Sequence, residues 1–184
     1  VMTAPHPTGP WSKSRQVFLD SGGAAQSWYV PSGRQFSNPA AHVLPNGTLL
    51  CAYRADARTG GEHVSVATAA GPLGPYIDAR SHPAVETNPA EDPFLWQDER
   101  GHWHMLMHDM DGGVGGVVGA HAFSTDAMHW TWSHVAPYTT NITFEGGNVR
   151  VMKRRERPQL TLDGRGRPLY FTSGVEDEHD HSYT

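Results

Sequence analysis

The side chains able to do chemistry recur in one setting. Glu91-Asp92-Pro93 and Glu156-Arg157-Pro158 place acidic residues one or two positions ahead of a proline, and Ser37-Asn38-Pro39 puts an amide in the matching place. Carboxylates take up and release protons, whereas an amide only hydrogen-bonds. A carboxylate ahead of a strand also caps a turn, which is a purely structural use. The chain has 12 histidines. His102, His104 and His108 share one face of a single strand, because even steps do, and His121 lies on a later run. Neighbours on one strand rarely close a ligand set, so they read as a solvated or hydrogen-bonded face and no metal site is assigned. Glu176-Asp177-Glu178-His179-Asp180-His181 reads as an exposed loop. Cys51 is the single cysteine, which excludes an internal disulfide and suits a small buried apolar side chain.

Repeated elements position these residues. Pro39, Pro93 and Pro158 are each followed eight residues later by a glycine, Gly47, Gly101 or Gly166, at the end of a polar turn. A β-prone run follows each glycine (48–53, 102–108 and 168–172), so strand, turn and strand read as a hairpin. A second element comes later in the unit. Val64 to Thr68 leads to Gly74-Pro75-Tyr76, and Gly119 to Ser124 leads to Trp130. Gly9-Pro10-Trp11 resembles Gly74-Pro75-Tyr76 and reads as the tail of another unit. The marker prolines lie 54 and 65 residues apart, a length that suits four-stranded propeller blades.

The expected fold is therefore all-β, an incomplete β-propeller of roughly two and a half to three four-stranded antiparallel blades. Residues 1–11 would end one blade, about 35–80 and 90–135 would form two more, and 150–184 would start a further one. A β-sandwich is the alternative. Helical periodicity is missing, which disfavours all-α and α/β layouts. Two and a half blades would leave apolar flanks uncovered, so the chain is expected to be a piece of a longer protein.

Composition narrows the partners. The 184 residues include 20 glycines and 14 prolines, above the average usage of roughly 12% and a sign of many turns. A formal charge of −5 argues against nucleic acid or an anionic membrane as the main partner, and Lys153-Arg154-Arg155 reads as a local feature. No run approaches the roughly 18 apolar residues of a membrane span. A targeting segment is either absent or lost with an upstream part. Two sequons, at Asn46 and Asn141, do not assign a compartment, and oligomeric state is not read from the sequence.

Together the motifs resemble a known family. Val64 to Tyr76, then Glu91-Asp92-Pro93-Phe94 with the turn from Asp98 to Gly101, then Glu156-Arg157-Pro158, are similar to the five-bladed propeller glycosidases. These are the arabinanases and β-xylosidases of glycoside hydrolase family 43, with relatives among invertases and levansucrases. The resemblance implies inverting hydrolysis of O-glycosidic bonds in poly- or oligosaccharides at the propeller axis, served by three carboxylates. By position, Asp92 is the residue that tunes the acid and Glu156 is the general acid. The general base falls about one unit before Asn38, upstream of Val1, so the isolated chain is expected to be inactive. In such a reaction the acid protonates the leaving oxygen while a carboxylate activates water, and a neighbouring carboxylate keeps the acid protonated. Arg155 or Arg157 would oppose that tuning.

Asp92 stands one residue before its proline and Glu156 two, so strict alternation would put them on opposite faces and a bulge is needed. Glu91, in register with Glu156, is the reserve candidate. Asn38, His121, Arg155 and Glu91 are the candidate substrate-binding residues, with carbohydrate as the partner. No cofactor is expected, and a structural calcium is not derivable. Phe94, Trp96, Trp103 and Trp130 could stack on sugars, but most of them should pack blades. Trp28-Tyr29 is a candidate for the funnel rim. Ser124 to Trp130 resembles an invertase-type blade ending in which Asp126 ties the turn and Trp130 seals the blade. Two alternatives stand beside this reading: a non-catalytic carbohydrate-binding propeller and a His-rich metal-binding β protein.

Overall fold

The computed structural model describes residues 1–15, 17, 37–57, 60–79, 83–85, 88–113 and 117–184. Among them there is no helix long and apolar enough to cross a membrane. The first sheet holds β1 (Ser37–Val43), β2 (Leu49–Asp56), β3 (Glu62–Ala69) and β4 (Ile77–Asp78) in chain order. The second repeats it with β5 (Ala90–Gln97), β6 (Trp103–Gly113), β7 (Val117–Ser124) and β8 (Thr131–Trp132). A small hairpin, β9 (Asn141–Thr143) with β10 (Val149–Val151), precedes a three-stranded sheet of β11 (Arg154–Leu162), β12 (Pro168–Glu176) and β13 (Ser182–Tyr183). Every strand pair is antiparallel. Successive up-and-down sheets, each led by its innermost strand, are blades of a β-propeller rather than the two facing sheets of a sandwich. Strand β5 packs against the first sheet and against β11, so it sits between its neighbours.

The hairpin turns are built by their own side chains. Asp98 Oδ1 accepts the backbone N–H groups of Arg100 and His102, both at 2.9 Å, and Asp163 Oδ1 accepts those of Arg165 and Arg167 at 2.8 and 2.9 Å. The glycine ending each turn takes the left-handed backbone, φ 82° at Gly101 and 78° at Gly166, where a Cβ is disfavoured. The acidic segment at the end of the chain is a further copy. Asp177 Oδ1 accepts from His179 and His181, and Asp180 replaces the glycine at φ 62°. Lys153 reaches Glu176 and Asp180 across this turn.

Strand β2 is buried on both faces, so its side chains serve two cores. Leu50 and Ala52 meet Val64, Val66, Trp103, Met105 and Met107 between the first two blades. Leu49, Cys51, Tyr53 and Ala55 pack on Ala67 and Tyr76 on the other side. Burial raises the Cys51 thiol to about 11, which leaves it unreactive near neutrality. Trp96 and Trp103 are buried, and Trp130 packs against the first core. Asp126 ties the turn after β7 by accepting from Met128 and His129, and Trp130 Nε1 donates to the Ala127 carbonyl. Trp28 and Tyr29 lie outside the described residues.

Candidate functional site

The innermost strands β1, β5 and β11 all begin with the same irregularity. Pairing slips between Ser37 and Ala40, between Glu91 and Phe94, and between Glu156 and Gln159. Within each slip the residue before proline is left-handed: Asn38 at φ 51°, Asp92 at 51° and Arg157 at 55°. Proline has no N–H to offer the ladder and disfavours the α region in the residue before it, so an extra residue is accommodated as a bulge. Asn and Asp tolerate the left-handed region better than most residues; arginine does not. Glu91 and Glu156 stay in register with the second strand, opposite His108 and Gly174. Alternation is broken just where Asp92 follows, which is how the one-residue offset between the two acids is absorbed.

Three blades converge on one cleft of about 200 Å³, lined by Asn38, Pro39, Asp92, Pro93, Arg157 and Gln159. Asp92 is buried there. Its Oδ1 accepts a hydrogen bond from the Asn38 amide and lies 3.8 Å from Arg157 Nε. Burial pushes the Asp92 carboxyl above its ordinary value, and the charges of Glu91 and Glu156 add to this, while Arg157 and the Asn38 hydrogen bond oppose it. Glu156 is held by Arg154, whose Nη2 is 2.5 Å from Oε1. An adjoining cavity of about 180 Å³ is lined by Arg154, Glu156, Arg157, Gly174 and Tyr183 among others, so Arg157 borders both spaces.

Glu91 is fastened from behind. Arg54 Nε lies 3.7 Å from Oε2 and His108 Nδ1 lies 3.4 Å from Oε1. Arg54 is itself buried and also engages Glu62, Asp56 at 3.2 Å and Ser37 Oγ at 3.1 Å. Ligand atoms of Glu91, Asp92 and His108 all lie within 4.8 Å of one another, near enough for a metal ion. The donor set fits one poorly, because Arg54 and Arg157 already stand as cations beside the two carboxylates.

His121 and Arg155 lie elsewhere. Arg155 stacks its guanidinium over Tyr138 and Phe171, 5.4 and 4.9 Å from the ring centroids, and donates to the Thr139 carbonyl at 3.0 Å. His121 stands in a ring stack with Trp96, His104 and Phe123 that borders an inter-blade groove of about 640 Å³. His104 Nδ1 lies 3.0 Å from His121 Nε2, and its Nε2 is 3.4 Å from Asp98 Oδ2. His102 belongs to the preceding turn and His108 to Glu91, so the three histidines of one sequence face go to three different settings. Burial and the nearby His104 lower His121 to about 4. Unfolded histidine, near 6.5, binds more protons between those values, so stability present above pH 6.5 is lost as pH falls towards 4. Denaturant titrations should show this loss as roughly 2 kcal/mol, discounted for the ring's remaining solvent contact. His121→Phe should flatten the dependence; an unchanged slope would remove His121 as its cause.

The sequence reading named Arg157 as a cation near the acids, and the structure sets it beside Asp92. It missed Arg54 and Arg154, of which Arg154 carried a signal: two residues before Glu156 on one strand, it shares its face.

No protein-family model and no curated protein matches the sequence. Solved structures do. A GH43_1 enzyme from Xanthomonas citri, solved in complex with xylotriose, superposes with a TM-score of 0.62 at 18% identity, over 98% of this chain and 61% of its own. An endo-arabinase from Bacteroides thetaiotaomicron gives 0.61 at 11% identity, over 96% and 69%. A thermostable family-43 glycoside hydrolase gives 0.55 at 13% identity, over 92% and 73%. The chain thus spans about 61 to 73% of the length of these structures. Blades in chain order, each opening on a bulged proline strand at a shared cleft, together with these superpositions, give the chain the β-propeller fold of the family-43 glycoside hydrolases.

Proposed function

We propose that this chain forms the acid-bearing part of a glycoside hydrolase that cleaves O-glycosidic bonds by an inverting acid/base mechanism. One observation carries the proposal. Asp92 and Glu156, 64 residues apart in sequence, stand at the opening bulges of neighbouring blades and line two adjoining spaces that meet at Arg157, and the Glu156 charge acts on Asp92. In this reading Glu156 protonates the leaving oxygen and Asp92 maintains the negative field around it. Asn38 fixes the orientation of Asp92, and Glu91, clamped by Arg54 and His108, holds the bulge that presents it. To donate a proton, Glu156 has to leave its pairing with Arg154. The general base would be a third carboxylate contributed by another blade, since the matching position on the first blade holds Asn38.

A non-catalytic carbohydrate-binding propeller is the second reading, favoured by that amide. Arabino- and xylo-oligosaccharides and their aryl glycosides form the test panel, because the structural neighbours are described as acting on or binding such sugars. The full-length protein should release a sugar whose first-formed anomer is inverted, seen by proton NMR. Saturable binding with no turnover would establish the binder instead, and retention of configuration would overturn the inverting mechanism.

A further inference from the structure

We infer that the cleft selects a glycan carrying an oxyanion substituent, a uronate carboxylate or a sulfate, and that Arg157 reads it. The inference rests on the proposed carbohydrate site and adds the charge class of its ligand. Arg157 occupies the bulge position at φ 55°, where the sister blades hold Asn38 and Asp92. The bulge needs a residue tolerant of left-handed backbone, and arginine is a poor choice for that need alone. The side chain is 72% exposed, and its nearest acidic atom, Asp92 Oδ1, is at 3.8 Å, beyond hydrogen-bond distance. Among the described residues the Arg157 side chain donates no hydrogen bond; it pairs loosely with Asp92 and otherwise leaves its guanidinium donors to solvent at the border of the cleft.

A second guanidinium stands close by. Arg154 is 58% exposed and spends one nitrogen on Glu156. Both arginines border the cavity that also contains Glu156, and that cavity meets the Asp92 cleft at Arg157. The other nearby cations are committed: Arg155 to Tyr138 and Phe171, Arg54 to Glu62 and Glu91, Lys153 to Glu176 and Asp180. A planar carboxylate or a sulfate suits bidentate recognition by arginine. Asp92 and Glu156 repel an anion, so the substituent would lie on the Arg154–Arg157 side, leaving the acids to the glycosidic oxygen. A neutral sugar would need only uncharged hydrogen-bonding groups there, and the amides of Asn38 and Gln159 are such groups.

Calorimetric titration of the full-length protein with three oligosaccharides of equal length tests this: a neutral pentose chain, one bearing a glucuronic acid, and one bearing a sulfate. At least one acidic ligand should bind about tenfold or more tighter than the neutral chain at low salt, with the advantage shrinking as salt rises. The two acidic arms show which oxyanion is preferred. Arg157→Asn, which keeps a residue suited to this backbone, should remove most of that advantage without lowering Tm. Arg167→Gln, on the far groove beside Glu99, should leave it in place. Equal or tighter binding of the neutral chain would overturn the inference while sparing the carbohydrate site, as would a preference that survives Arg157→Asn. Failure of all three ligands to bind would overturn both.

Discussion

Glu156→Gln in the full-length protein is expected to lower hydrolysis by about 10²–10⁴-fold, the range for loss of a general acid, with Tm nearly unchanged. Glutamine keeps the shape of the side chain and can still accept from Arg154, which now lies 2.5 Å from Oε1, but it has no proton to give. The loss should fall on kcat with KM little affected, because proton transfer to the leaving oxygen belongs to the transition state and not to binding. Substrates with good leaving groups, such as nitrophenyl glycosides, need less protonation and should be hurt less than natural linkages. Full activity in the glutamine variant would remove Glu156 from the mechanism. An equal loss on every leaving group would point to a collapsed cleft, which circular dichroism and Tm would reveal.

The largest expected stability effect lies far from the acids. Gly166 ends the β11–β12 turn at φ 78°, and a Cβ there would press into the backbone carbonyl oxygen of Gln97 at the end of β5. The three atoms nearest to such a Cβ all belong to the backbone of Gln97 and Asp98, so no flexible side-chain end can swing aside to relieve it. Gly166→Ala should cost about 3 kcal/mol or more, combining left-handed strain with the clash. That corresponds to a fall in Tm of about 6–12 °C for a chain of this size. Gly146→Ala isolates the second part: its φ is 89°, but a Cβ there meets nothing within 4 Å. It should cost only the backbone share, about 1–2 kcal/mol. Equal losses in the two variants would mean that the close approach of the blades at Gly166 contributes nothing to stability.

The elements themselves were legible in the sequence because each is decided locally. A polar turn closed by a left-handed glycine makes a hairpin whatever surrounds it, and Asp98 and Asp163 fold their turns onto their own backbones. The proline marker and its spacing reveal the blade period, and the one-residue offset between Asp92 and Glu156 already demanded a bulge. The same period, carried to the third marker, also set Arg157 where its sister blades hold Asn38 and Asp92.

Partnerships across blades were settled by the tertiary structure. Asn38 reaches Asp92 over 54 residues, Arg54 on β2 reaches Glu91 on β5, and Arg157 on β11 stands beside Asp92 on β5. Alternation along β11 already puts Arg154 on the side of Glu156 and Arg155 on the other; what packing adds is Tyr138, which no local rule brings to Arg155. His121 and His104 likewise meet each other and Asp98 because two strands of one sheet set their rings in a stack. A repeat reports where each chain segment bends and pairs with its neighbour. The electrostatic surroundings of a carboxylate come from whatever other blades bring to it, and that is fixed only when the sheets pack around a common axis.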